Sequence, residues 1–336
     1  MTDVPDALRT ALATRLAGMP EDGLRAAVDR LVAAYRSGRT PDGPIMGHRT
    51  DVAAYAAYRM PATYAAVRAA LSRVRITPRT LLDIGGGTGA AAWAAVTAFT
   101  SLTSIVVVDQ VAEALAFGAD LALAAPAPAL RTARWRPVAL PSGLADLTSG
   151  PSAPVAGRAD LATVSYVLGE LSAADAGTLV DGAAAVARTV ALIEPGTPAG
   201  YARIIAARTR LIERGWRVLA PCPHQQPCPI VPGRDWCHFA ARVNRSALHR
   251  RIKDADLSYE DEKFSYVIAT DPAEVSGSGD EYRAGGGRVL RRPTQRKGMV
   301  QLRLCRTDGT LADRIVARSH GADYRVARDL TWGDPF

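Results

Sequence analysis

Four cysteines stand in a chain of 336 residues, and three of them crowd one proline-rich segment. Cys222, Cys228 and Cys237 fall within Ala220-Pro-Cys-Pro-His-Gln-Gln-Pro-Cys-Pro-Ile-Val-Pro-Gly-Arg-Asp-Trp-Cys-His-Phe239, and Cys305 follows the alternating run Met299-Val-Gln-Leu-Arg-Leu304. Thiolates are ligands for soft metals and iron–sulfur clusters, and four of them complete a tetrahedral or cubane site. Proline neither extends a helix nor donates to a ladder, so a loop holding Cys222-Pro223 and Cys228-Pro229 needs another source of shape. A bound metal supplies one. Four unrelated core thiols or two disulfides would explain the same residues. The Cys-x-x-Cys knuckle usual for zinc is absent, and the wider gaps favour a four-iron cluster. His224 and His238 keep a mixed Cys/His zinc site open.

A second constellation lies earlier. Thr80-Leu-Leu-Asp-Ile84 reads as a buried strand, Gly85-Gly-Gly-Thr-Gly89 as a turn, the alanine-rich stretch to Phe99 as a helix, and Ser104-Ile-Val-Val-Val-Asp109 as a strand ending in an acid. That is the opening unit of a doubly wound α/β sheet. The glycines let backbone approach a ligand at a helix N-terminus, and an acid placed like Asp109 takes ribose hydroxyls. The spacing Asp83-x-Gly85-x-Gly87-x-Gly89 resembles the nucleotide motif of class I S-adenosylmethionine methyltransferases more than that of dehydrogenases. No Gly-Lys-Ser/Thr follows, which excludes a phosphate-binding P-loop.

These two constellations need elements to position them. Residues 5–36 predict two helices broken near Gly18–Pro20, and Thr50 or Asp51 can cap another that runs to about Val74, broken or kinked at Pro61. Tyr55, Tyr58, Arg59 and Tyr64 are expected to pack this helical region, residues 1–77, on the α/β core, residues 78–219. Further strands are expected at 133–140, 160–168 and 189–194, with a Ser172 capping box and a helix over 198–214. In residues 220–336 the cysteine loop precedes an expected helix over 240–253, with Arg242, Arg245, His249 and Lys253 on one basic face. Late strands are expected at 264–268 and 299–304.

Charge divides the chain. Residues 1–200 carry equal numbers of acids and bases, so the net +8 falls wholly in residues 201–336. A basic half joined to a neutral one fits a polyanionic partner, nucleic acid first. No run of eighteen apolar residues occurs, so no membrane span is expected. The start Met1-Thr-Asp-Val-Pro-Asp6 shows no basic or apolar targeting segment, which implies a cytoplasmic, reducing address. A monomer is expected.

Taken together, the motifs resemble the methyltransferase-like proteins that accompany the small ribosomal subunit in mitochondria, with bacterial relatives. The matching pieces are Tyr58-Arg-Met-Pro-Ala-Thr-Tyr64, Asp83-Ile-Gly-Gly-Gly-Thr-Gly89, Ser165-Tyr-Val-Leu-Gly-Glu-Leu171, Glu194-Pro-Gly-Thr-Pro198, the cysteine loop, Tyr259-Glu-Asp-Glu-Lys-Phe-Ser-Tyr266 and Arg296-Lys-Gly298. The resemblance implies a Rossmann-like class I methyltransferase fold. It implies an S-adenosylmethionine pocket at Asp83, Gly85, Gly87, Gly89 and Asp109. It implies a [4Fe-4S] cluster on Cys222, Cys228, Cys237 and Cys305, and 16S-type ribosomal RNA of the small subunit as partner. Arg242, Arg245, Lys253, Arg291, Arg292, Arg296 and Lys297 are the candidate RNA contacts.

The residues leave catalysis open. Where amino-group methyltransferases place Asn/Asp-Pro-Pro-Tyr, this chain reads Ser165-Tyr166-Val167-Leu168, and no Cys-x-x-x-Cys-x-x-Cys radical motif occurs. Glu170 and Glu194 sit at strand ends where a base would act, although such carboxylates more often satisfy helix N-termini. Two functions follow, a ribosomal RNA methyltransferase and a non-catalytic RNA-binding assembly factor in which the cluster is a clip. A cluster that senses iron or redox state is a third.

Overall fold

The computed structural model of the chain describes residues 4–36, 48–147, 157–253, 257–274 and 281–336. Four helices lead: α1 (Asp6–Leu16), α2 (Glu21–Arg36), α3 (Arg49–Tyr58) and α4 (Met60–Leu71). The helix expected up to Val74, broken or kinked at Pro61, is broken: two helices meet at Arg59. Pro61 falls in the first turn of α4, where its missing N–H costs nothing. The cap of α3 is His48, whose backbone N–H donates to Asp51 Oδ2 at 3.2 Å.

The core then alternates. β1 (Thr80–Ile84), α5 (Ala90–Ala98), β2 (Ser104–Asp109), α6 (Ala112–Ala122), the single turn α7 (Pro128–Arg131), β3 (Arg134–Pro137), β4 (Ala159–Ser165), α8 (Ala173–Val186), β5 (Ala187–Pro195), α9 (Pro198–Glu213) and β6 (Arg217–Ala220) follow in order. Ser172 caps α8 by accepting the Asp175 N–H, as its capping-box pattern predicts. The five alanines among residues 90–95 of α5 are all buried against α4 or the sheet, and their small side chains let these layers approach closely.

After β6 come β7 (Phe239–Asn244), α10 (Ala247–Lys253) and the long β8 (Tyr259–Thr270). The expected helix over 240–253 is therefore corrected. Phe239, Ala241 and Val243 are buried while Arg242 and Asn244 are exposed, a period of two that seats the segment on β8. Arg242, Arg245 and His249 do not form one helical face.

The main sheet has the order β3-β2-β1-β4-β5-β8-β6, with β7 also on β8. β1 to β5 run parallel and β8 enters antiparallel between β5 and β6. This is the doubly wound, Rossmann-like α/β sheet of the class I methyltransferases. One edge of β8 pairs first with β7 and then with β6, since Phe264 faces Phe239 and Ile268 faces Ala220. The cysteine loop thus leaves the sheet at Ala220 and rejoins the same edge at Phe239.

A second sheet holds β9 (Gly287–Val289), β10 (Thr294–Arg296), β11 (Met299–Arg306) and β12 (Leu311–Ala317), ordered β10-β11-β12 with β9 on β11. Helix α11 (Ala322–Asp329) closes a small core of Val289, Val300, Leu302, Leu304, Val316, Ala327 and Phe336. No helix among the described residues is long and apolar enough to cross a membrane.

Candidate functional site

Two pockets hold the residues singled out from the sequence. The first opens at the carboxyl ends of β1, β2 and β4, where a doubly wound sheet places its ligands. It is lined by Asp83, Gly85, Gly87, Asp109, Ser165 and Glu170, and Tyr55 and Thr63 cover it from α3 and α4. Gly85 sits at φ +67°, and a Cβ there would stand 2.4 Å from Val167 Cγ2, so only glycine fits. Gly89, expected among the cofactor residues, does not line the pocket. It starts α5 at φ +82°, with Trp135 2.5 Å from where its Cβ would be.

Both oxygens of Asp109 accept backbone N–H groups, Oδ2 from Gly87 at 2.9 Å and Oδ1 from Val111 at 2.9 Å. Burial raises its carboxyl pKa, and these bonds oppose the rise. Asp83 is fully buried. Its Oδ1 accepts the Thr163 hydroxyl at 2.8 Å, while Oδ2 and the neighbouring Ser165 Oγ have no hydrogen-bond partner. Burial pushes the Asp83 carboxyl up to about 7. Glu170 rises to about 8 through burial first and then through the negative charges of Asp109 and Glu194. Glu194 itself is committed elsewhere, accepting Leu168 N–H at 3.0 Å and Arg203 Nε at 2.7 Å.

The far wall carries a network that the sequence did not announce. Arg59, at the α3–α4 junction, donates to both oxygens of Glu262 at 3.1 and 2.9 Å, and the Tyr166 hydroxyl donates to Glu262 Oε1 at 2.8 Å. Tyr166 has φ +63°, the one non-glycine residue in the left-handed region among those described. Strain of that kind persists where the surroundings enforce it. Here the Glu262 bond and the Arg59 guanidinium, 5.2 Å from the Tyr166 ring centre, do so. Arg59 and Tyr58 were legible as packing residues, but Glu262 is 203 positions from Arg59 and no local pattern pairs them.

The second pocket gathers all four cysteines. Cys222, Cys228, Cys237 and Cys305 line one apolar recess between α9, the cysteine loop, β8 and the second sheet. None is in a disulfide. Cys305 reaches it from β11, opposite Leu311 of β12 and Arg288 of β9. The Tyr201 hydroxyl is 3.1 Å from Cys228 Sγ, and His224 Nε2 is 3.3 Å from Cys305 Sγ. Burial raises the pKa of Cys222, Cys237 and Cys305, and mutual repulsion among the sulfurs raises each further. Arg208 opposes the rise at Cys222 and Cys305. That guanidinium is 2% exposed and donates to the carbonyls of His224 at 3.0 Å and Gln226 at 2.8 Å, with Nε unpartnered. Among the described residues, no group of three His, Cys, Asp or Glu side chains is arranged to hold a metal ion. His238 is turned away, stacked on Trp236 and edge-on to Trp332.

The basic residues disperse. Arg242 is bound by Asp261 at 2.8 and 2.9 Å, and Arg245 by Glu260 at 2.9 Å. Arg291 pairs with Asp235 and donates to the Trp236 carbonyl, tying the second sheet to the cysteine loop. Arg292, Arg296 and Lys297 are exposed at or beside β10, and the Lys253 side chain lies outside the described ones.

The family described as mitochondrial small ribosomal subunit Rsm22 matches residues 49–336. The chain belongs to the Rsm22 family. Human METTL17, a mitochondrial ribosome assembly protein, is 29% identical over 299 residues, covering 83% of this chain and 61% of its own length. The mitochondrial ribosome assembly protein RSM22 of Saccharomyces cerevisiae is 23% identical over 35% of this chain and 28% of its own length. The chain thus spans about six tenths of the human relative and less of the yeast one. Two solved folds align with it. Precorrin-6y C5,15-methyltransferase from Geobacter metallireducens has a TM-score of 0.39 at 16% identity, over 61% of this chain and 86% of that one. Magnesium protoporphyrin IX methyltransferase from Synechocystis has 0.36 at 12%, over 78% and 99%. The family overturns the cytoplasmic address expected from the first residues, because its description and its curated relatives are mitochondrial.

Proposed function

We propose that the chain is an assembly factor of the small ribosomal subunit. In this reading it binds S-adenosylmethionine in the first pocket and a [4Fe-4S] cluster on Cys222, Cys228, Cys237 and Cys305. The observation that carries the reading is the meeting of these four cysteines, from a loop on one sheet and a strand of another, in one recess. A loaded cluster there would clip the basic second sheet to the nucleoside-binding sheet.

The donor set suits the cluster. Four clustered thiols, one buried and three half-buried, repel one another as thiolates, and a cationic centre removes that repulsion. Arg208 adds a buried positive charge with no carboxylate bonded to it, a suitable neighbour for an anionic thiolate-ligated cluster. A polynuclear centre, each thiolate on its own iron, accepts donors more widely spaced than a single tetrahedral ion does. The first pocket suits a nucleoside with a cationic tail. The unpartnered Asp83 Oδ2 and Ser165 Oγ await polar groups, and Asp83, Asp109 and Glu170 supply carboxyls for ribose, sulfonium or ammonium.

Assembly is preferred to methylation because the end of β4 is committed to structure. Tyr166 is locked onto Glu262 and Arg59 where an acceptor-binding motif would stand. Methyl transfer remains the second reading on one observation, the Glu170 carboxyl at about 8 beside the pocket, which suits a general base. Iron and sulfide analysis of anaerobically purified protein tests the cluster, with four of each per chain expected and a colourless, iron-free protein refuting it. Deletion of the gene tests the role. Depleted small subunits with unchanged ribosomal RNA methylation support assembly, whereas loss of a methyl mark restored only by active-site-intact protein supports the enzyme.

A further inference from the structure

A third cleft lies apart from both pockets. Arg68, Ser72 and Arg73 line it from the end of α4 and just beyond, Arg242 from β7, and Arg292 and Gln295 from the edge strand β10 and the residues before it; Trp332 closes it. Asp261 is the one carboxylate in its walls, and Arg242 holds it. Arg73 is taken by Asp334 at 3.0 Å.

Three donors remain. Arg68 and Arg292 have no hydrogen bond or ion pair among the described residues, and the Trp332 Nε1–H is buried without a partner. Arg68 is half-buried, so its charge is partly desolvated and favours a counter-anion over water alone. The indole is held edge-on against His238, ring centres 4.8 Å apart, so its N–H cannot swing to another acceptor. Two guanidiniums and the buried indole N–H line a space whose one carboxylate is already held by Arg242, which is the chemistry that receives phosphate oxygens. Along β10 the wall passes to the exposed Arg296 and Lys297 at the turn into β11, so the positive track outruns a single phosphate.

We infer that this cleft holds the phosphodiester backbone of an RNA strand, with Arg68, Arg292 and the Trp332 N–H as its contacts. The inference rests on the RNA-binding reading above and assigns it a place. Arg68 belongs to the half of the chain that charge patterning does not mark as basic.

The probe is a fluorescein-labelled, mixed-sequence, single-stranded 20-nucleotide RNA, with anisotropy read on the full chain at several salt concentrations. Arg68→Gln with Arg292→Gln should weaken binding at least tenfold. It should also reduce the salt slope by about 1.4, two phosphate contacts at roughly 0.7 each for single strands. Trp332→Phe should weaken binding about fivefold with the slope unchanged, as for one lost neutral hydrogen bond. Arg214→Gln with Arg217→Gln, outside the cleft, should bind like wild type. Melting curves accompany each variant, and Arg292→Gln alone, at an exposed side chain, replaces the double variant if that melts early. Wild-type binding by the cleft variants, with binding lost in Arg296→Gln with Lys297→Gln, overturns the cleft and keeps the RNA reading. No binding by the wild type overturns both. Displacement of the RNA by polyglutamate at equal charge assigns the cleft to an acidic protein and overturns this inference.

Discussion

The pocket at the glycine turn and the cysteine pocket are built on opposite principles. The first is nearly local. Its floor comes from one strand–turn–helix–strand unit, Asp83 to Asp109, and Asp109 is held by the N–H groups of Gly87 in the same unit and of Val111 just beyond it. The second is assembled from α9, a loop, β8 and a strand of a different sheet, and its polar neighbours Tyr201, His224 and Arg208 come from as far as 81 residues from the sulfur they touch. β8 joins the two, with Glu262 bonded to Tyr166 on the wall of one and Ser265 donating to the Cys237 carbonyl at 2.7 Å in the other. A pocket made locally tolerates changes elsewhere in the chain. One made by convergence depends on every contributing element staying docked.

The largest effect that separates them is expected from Cys305→Ser. It should remove nearly all bound iron and loosen the second sheet, because metal-binding energy in such a site is folding energy. Isolated nucleoside binding should survive. Iron quantified alongside S-adenosylmethionine calorimetry checks this, and parallel loss of both would erase the contrast. Arg208→Met should follow. It strips the recess of a buried cation and the loop of two hydrogen bonds, at a cost of about 3 kcal/mol in line with broken buried charge networks. It should also lower iron occupancy and shift the cluster potential downwards, with Arg208→Lys restoring part of each.

Glu262→Gln comes next, at about 2–3 kcal/mol for two weakened charge-assisted contacts, read by chemical denaturation. Because β8 serves both pockets, this variant should disturb nucleoside binding and iron retention together. Asp109→Ala should weaken S-adenosylmethionine about ten- to a hundredfold, the scale of a lost charged hydrogen bond, and leave iron content untouched.

The smallest effect is on pH dependence. Glu170 and Asp83 have folded pKa values raised to about 8 and about 7, so between about 4 and 8 the folded state holds protons that the unfolded state releases. Stability of the free protein should therefore fall as pH rises through that window. A cationic ligand favours the ionised carboxyls, so its affinity should rise over the same range, and Glu170→Gln should abolish the portion near pH 8. Flat affinity from pH 6 to 9 would detach these carboxyls from the ligand.

The first pocket was legible because its determinants are adjacent. Asp83, Gly85, Gly87 and Asp109 share one short motif and line one pocket, while the glycine at 89 also answers to Trp135, which lies 46 residues on. The helix drawn over 240–253 failed for a related reason. Its arginines happen to recur at helical intervals, while Phe239, Ala241 and Val243 alternate and find a free edge on β8. Alternation over so short a stretch has no force until the edge exists.

By itself the sequence determined the doubly wound core, the glycine turn, the crowding of three cysteines in a proline-rich loop, and the placement of all surplus charge after residue 200. These are matters of composition and near-neighbour spacing, which backbone geometry converts directly into structure. The tertiary structure alone decided that Arg208 stands buried beside the four cysteines, and that Arg59, Tyr166 and Glu262 form one lock. Such partners meet because apolar faces of separate elements must be buried together, and sequence distance carries no record of that packing.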